Sequence, residues 1–279
     1  MPTDKGKFVR LETLRRPRGS EEPACRRVFP PTARPTRSSQ AGRPALHTGR
    51  MANPGRASTG PAVPVLTAAV LGVTAAVSIA GLLTDSVLLA LRRDAIALSD
   101  GQLWRLLTSL LVQDGGVAGT VFNLLGLALV GVAAERRLGW RAWLVAYLVG
   151  GLSGEVAGWA GWQPDGAGNS VGVCGLAGAL AVVVLRGTGP PGRLETIAPA
   201  TWAVALTSGT LTGWAPALAA VAAGLAAATR PPVARWVLIA LVAGSSMLLL
   251  AQRDIHGAAL TGGLLVGLTL ATTTEHSRT

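Results

Sequence analysis

Gly172-Val173-Cys174-Gly175-Leu176-Ala177-Gly178 lies where a polar loop gives way to an apolar run. The loop before it reads Gln163-Pro164-Asp165-Gly166-Ala167-Gly168-Asn169-Ser170, and the run after it, Leu176 to Leu185, reads as a helix descending into a membrane. Glycines on one helix let neighbouring backbones approach closely, which is how helices pack in lipid. A thiol at the mouth of such a helix can also meet a reactant. Plain packing explains the same letters, since a free Cys behaves as a small hydrophobe. The choice rests on what surrounds the stretch.

Composition places the helix in a membrane. The chain has 279 residues, 49% hydrophobic and 14% charged, with a mean hydropathy of +0.44. That is too apolar for an ordinary soluble domain and fits a polytopic membrane protein. The net charge of +11 does not point to nucleic acid. About half of the Lys and Arg precede residue 60, and most others punctuate the ends of apolar runs. Cys25 and Cys174 give no disulfide framework. The three histidines, His47, His256 and His276, give no metal cluster, and no organic cofactor is implied.

Going outward, the third apolar run covers Trp140–Ala160 and carries Glu155, an expensive residue inside a membrane. It is read as structural, set apart from the reactive site. The second run is Val117–Ala134 and the first Pro61–Leu83. Between them Leu88–Asp114 is amphipathic and reads as an interfacial loop. Residues 1–60 form a basic Arg- and Pro-rich tail expected to be disordered, with Met51-Ala52-Asn53-Pro54 as an alternative start. Beyond Cys174, the fourth run (Val171–Leu185) is followed by Ile197–Leu211, Trp214–Ala228, Val233–Leu250 and Ile255–Ala271, then a short tail, 274–279. A neutral turn at 207–213 divides the fifth run from the sixth.

Charge orients these eight segments. With both termini cytoplasmic, Arg136, Arg137, Arg141, Arg186, Arg193, Arg230 and Arg235 fall inside, and the 163–170 loop falls outside. Arg92, Arg93 and Arg105 in the first outer loop run against the rule. In this arrangement Cys174 and His256 both stand at the outer starts of inward-running helices. A Cys–His pair at one membrane face is a nucleophile with a general base.

At this point the chain resembles the rhomboid intramembrane protease family. Trp104-Arg105 resembles the WR motif of the first outer loop, and Phe122-Asn123-Leu124 the HxxxN segment of the second helix. Glu135-Arg136-Arg137-Leu138-Gly139 resembles E-x-R-L-G at the following turn. Gly172-Val173-Cys174-Gly175 resembles the G-x-S-G nucleophile motif, and His256-Gly257-Ala258-Ala259 the last-helix motif that carries the catalytic His. The tail and the apolar pair at 197–228 are expected to lie outside the match.

The resemblance implies an all-α, rhomboid-like helical bundle over residues 61–273, with a six-helix core and one extra helix pair. It implies an endopeptidase that cuts in or near transmembrane segments of membrane proteins in the lipid bilayer. Cys174 and His256 would form the dyad, supported by Asn123 and Gly172 at the oxyanion. Cys174 replaces the family serine, and Gly119 replaces the HxxxN histidine, while Gln113 stands where relatives often carry another His. Ser170, four residues before Cys174, is the alternative nucleophile. The alternative function is a catalytically inactive relative that binds transmembrane helices. The implied location is a bacterial plasma membrane.

Overall fold

The computed structural model describes residues 64–187, 189–212, 224 and 233–276. The chain divides into two units, Met1–Arg56 and Ala57–Thr279, and every described residue lies in the second. The tail 1–60, with Cys25 and Met51, lies outside the described residues, as does the stretch from 214 to 228 apart from helical Gly224.

Among the described residues the protein is helical and has no strand. The elements are α1 (Val65–Leu83), α2 (Asp85–Leu91), α3 (Ala95–Ser99), α4 (Arg105–Thr108) with a 3-10 turn at Ser109–Leu111, α5 (Gly116–Leu138) and α6 (Trp140–Ala157). A π-turn (Gly158–Trp162) follows, then α7 (Ser170–Arg186), α8 (Arg193–Thr212), α9 (Ala234–Ala251) and α10 (Ile255–His276). Helices α1, α5, α9 and Ile255–Thr272 of α10 are long and apolar enough to cross a membrane. Helix α7 is apolar and has 17 residues, and at 1.5 Å per residue it spans about 26 Å, close to the ~30 Å hydrocarbon thickness.

Two boundaries differ from the sequence reading. The third run stops being α-helical at Ala157, where the π-turn begins and Gly161 adopts φ +100°. The expected 207–213 turn is also absent up to Thr212, because α8 continues through it. Thr207 returns its hydroxyl to the Ala203 carbonyl at 2.8 Å, so a polar residue that favours turns is satisfied inside the helix.

Helix α7 is the axis of the bundle and is buried along most of its length. It meets α6 and α10 backbone to backbone. A methyl group at Gly175 would overlap the Ala146 carbonyl, one at Gly150 would overlap Gly175, and one at Gly263 would overlap the Gly175 carbonyl. Lipid offers no hydrophobic force between helices, so this close van der Waals approach is what holds the three together. Helices α5 and α8 cover the other side, joined by Trp202, which stacks on Phe122 at 4.7 Å and lies over Gly126.

The Glu135 carboxylate clasps the start of α1, accepting from Leu66 N (3.0 Å), Thr67 N (2.7 Å) and Thr67 Oγ1 (2.7 Å). An anion there satisfies orphan amides and the positive end of the helix dipole. Gly139, at φ +79°, ends α5 in a conformation that suits glycine. At this same end Arg137 pairs with Glu195 at 3.7 Å and Arg235 donates to the Gly187 and Gly189 carbonyls.

The opposite end is built on the first loop. Arg93 exchanges backbone hydrogen bonds with Gly166 (2.9 and 3.1 Å) and donates from Nε to the Gln163 carbonyl at 3.1 Å. Its guanidinium forms a buried ion pair with Glu155 of α6. Arg105 donates to the carbonyls of Leu89 (2.8 Å) and Arg92 (2.9 Å), closing the loop on itself. Arg93, which ran against the charge rule, is thus buried in the fold, and Arg105 is tied to carbonyls of its own loop while partly exposed.

Candidate active site

Ser170 is the first residue of α7, and His256 is the second residue of α10. The packing of α7 on α10 brings the two starts together, with His256 Nε2 2.9 Å from Ser170 Oγ. The other ring nitrogen, Nδ1, lies 2.6 Å from Asp254 Oδ1, which also accepts from the His256 backbone N–H at 2.8 Å. Burial opposes ionisation of Asp254, but hydrogen bonds and charge from His256 outweigh it and hold its carboxyl below the usual carboxylate range. A carboxyl shifted downward stabilises the fold above its unfolded value, about 3.9, and that contribution is lost as pH falls through the folded value. An ionised carboxylate only accepts, so the proton belongs on Nδ1 and Nε2 is left to accept from the serine hydroxyl.

A polar wall stands beside this pair. Asn123 Nδ2 donates to Gln113 Oε1 at 2.6 Å, and Gln113 Nε2 donates to Asn169 Oδ1 at 3.3 Å. Gly168 sits where Gln113, Asn123 and Ser170 converge, and a side chain there would project among all three. Gly119 faces open space. The groups surround a cavity of about 330 Å³ lined by Gly119, Asn123, Ser170 and His256, with Arg93 and Glu155 on the same wall.

The expected site residues are not all brought together. Asn123 reaches it. Cys174 does not pair with His256: it lies one turn further along α7, fully buried, while both ring nitrogens of His256 are engaged by other groups. Residues four apart share a helix face, so Ser170 and Cys174 point the same way at different depths. Gly172 packs against the Tyr147 ring and is a contact between α7 and α6 rather than part of the polar wall. Glu155, expected apart from the site, is on its wall. Two signals went unused in the sequence. Gly168-Asn169-Ser170 is itself a G-x-S triplet carrying the serine, although Val171 follows where the motif has glycine. Asp254 stands two residues before the histidine, within reach of its ring.

The fold defines an integral, polytopic all-α membrane protein with a hydroxyl–imidazole pair at one end of its bundle. Residues 100–228 match the family model of the rhomboid domain. Over 88 residues the chain is 38% identical to the rhomboid protease GluP of Bacillus subtilis (strain 168), a match covering 32% of this chain and 17% of that protein. No solved structure matches the chain. The family match runs to residue 228, so the 197–228 stretch, expected to fall outside it, falls within. His256 lies beyond the matched residues and is tied to the domain by its geometry with Ser170.

Proposed function

We propose that this protein is a rhomboid-type intramembrane endopeptidase in which Ser170 is the nucleophile and His256 the general base. The observation that carries the reading is the 2.9 Å contact between His256 Nε2 and Ser170 Oγ on the lining of the cavity that Asn123 shares. Ser170 Oγ attacks the peptide carbonyl while its proton passes to Nε2. The tetrahedral oxyanion is met by the second N–H of the Asn123 amide and by the Ser170 backbone N–H, which has no acceptor inside its own helix. His256 returns the proton to the leaving amine, and water entering through the cavity hydrolyses the ester. Glycine at position 119 supplies no donor, and a missing oxyanion donor typically costs ~10²–10³ in turnover.

The substrates in this reading are membrane proteins cut in or near a transmembrane segment, as the rhomboid resemblance implies; the name of the GluP relative supports the protease part of the reading. The test is cleavage of a labelled single-span protein by the purified full chain in proteoliposomes. A product cut at one bond, with a fluorophosphonate probe attached to Ser170, is the expected result. Intact substrate that co-purifies with the protein, and no probe attached, would leave the helix-binding reading in its place.

The reading also orients the molecule, with the 163–169 loop, Ser170 and Asp254 on the extracytoplasmic side and Arg136, Arg137 and Arg186 on the cytoplasmic side. Single cysteines at Gly166 and Arg137, in a background lacking the native thiols, should react with an impermeant maleimide from opposite sides of sealed vesicles. Labelling of both from one side would refute this orientation.

A further inference from the structure

A serine–histidine pair makes no demand on the residue beside the histidine's second nitrogen, yet that place is built with care. Asp254 is only 5% exposed. Its backbone is tied at both ends, N–H to the Leu249 carbonyl (2.9 Å) and carbonyl to the Gly257 N–H (3.0 Å). One carboxylate oxygen then holds both the His256 backbone N–H and its ring. Capping the start of α10 needs only the first of these contacts. The second, to Nδ1, is an addition that capping does not explain.

We infer that Asp254 is a positioning residue that completes a Ser170–His256–Asp254 triad, setting the tautomer and aim of the imidazole and stabilising its protonated form during attack. The inference rests on the reading of Ser170 and His256 as the reacting pair. As the Oγ–carbon bond forms, the serine proton moves to Nε2, and Nδ1–H stays hydrogen-bonded to an Asp254 that remains ionised. Other charged groups share the cavity. Glu155 from α6 is neutralised by Arg93 from the first loop, while Asp114 before α5 and Asp165 in the 163–169 loop stand on the lining. None of these is bonded to the ring among the described residues; Asp254 is.

Asp254→Asn separates the two roles. Asparagine caps a helix as well as aspartate does, but it brings no negative charge to the imidazolium that forms during attack, and any turn of its NH2 toward Nδ1 favours the tautomer that cannot accept from Ser170. In the full chain we expect a modestly lower melting temperature, from the lost charge interaction with His256, turnover and fluorophosphonate labelling reduced by about 10³–10⁴, and an acidic limb of the pH profile moved to lower pH. Asp254→Glu should restore part of the rate, and Asp254→Ser, which also caps, should lose it like Asp254→Asn. Labelling within about threefold of the parent in Asp254→Asn or Asp254→Ser, with the acidic limb unmoved, would overturn the inference and leave a helix cap. Persistence of labelling in Ser170→Ala is a separate result, which removes the serine reading itself whatever Asp254 does.

Discussion

Ser170→Ala is expected to reduce peptide-bond cleavage by about 10⁶, the size seen when a nucleophilic serine is deleted from a working catalytic unit, while Cys174→Ala stays within a few-fold of the parent. The reasons are positional. Ser170 Oγ lies at hydrogen-bond distance from the imidazole and opens on the cavity. Cys174 is fully buried one helical turn away, where neither water nor a peptide carbonyl reaches it. Cleavage of a labelled single-span substrate, followed by gel and by mass of the products, measures both variants. Lost activity in Cys174→Ala with retained activity in Ser170→Ala would reverse the assignment and restore the thiol as nucleophile.

Gly263→Leu is expected to abolish the stable bundle. The cost should exceed about 4 kcal/mol, beyond the usual range for single substitutions. Gly263 of α10 faces the backbone of Gly175 on α7, where even a methyl overlaps the carbonyl. Overpacking ordinarily costs ~1–3 kcal/mol because side chains can shift aside, and here the obstacle is main chain on a helix that is itself wedged against α6. Gly244 of α9 provides the control: a methyl there meets nothing within 4 Å, so Gly244→Ala should hold or raise stability, by up to about 1 kcal/mol from helix propensity. Thermal unfolding in detergent, read by tryptophan fluorescence, compares the two. A Gly263→Leu protein that melts with the parent would show that α7 and α10 do not pack in this way.

Much of the architecture was legible because lipid makes simple demands. Long apolar runs must be helices, so the residues of α1, α5, α7, α9 and α10 could be marked within a few positions from hydropathy and charged ends. Their order brought His256 to the same end as the 163–170 loop. The proposed nucleophile was harder to read, because two small-residue segments lie four positions apart on one helix face. Choosing between Gly168-Asn169-Ser170 and Gly172-Val173-Cys174-Gly175 required knowing where the helix begins: Ser170 is its first residue, so the serine stands at the mouth and the thiol one turn down. Glu155 was read as a structural residue and does pair with an arginine. Its presence on the cavity wall was hidden because the partner, Arg93, comes from a loop whose fold depends on contacts with Gly166 and Gln163 distant in sequence.

The Arg93–Glu155 pair has a consequence for how such a chain drifts over generations. Both groups are almost fully shielded, so losing either one strands an uncompensated charge in low dielectric at a cost of about 3–5 kcal/mol, while exchanging both for apolar residues of similar bulk can be nearly neutral. Single changes at these two positions lead downhill, and the passable route goes through both together. Lineages descending from such a protein should therefore inherit the couple or have discarded it whole, and a descendant with a lone arginine or a lone glutamate there should be scarce.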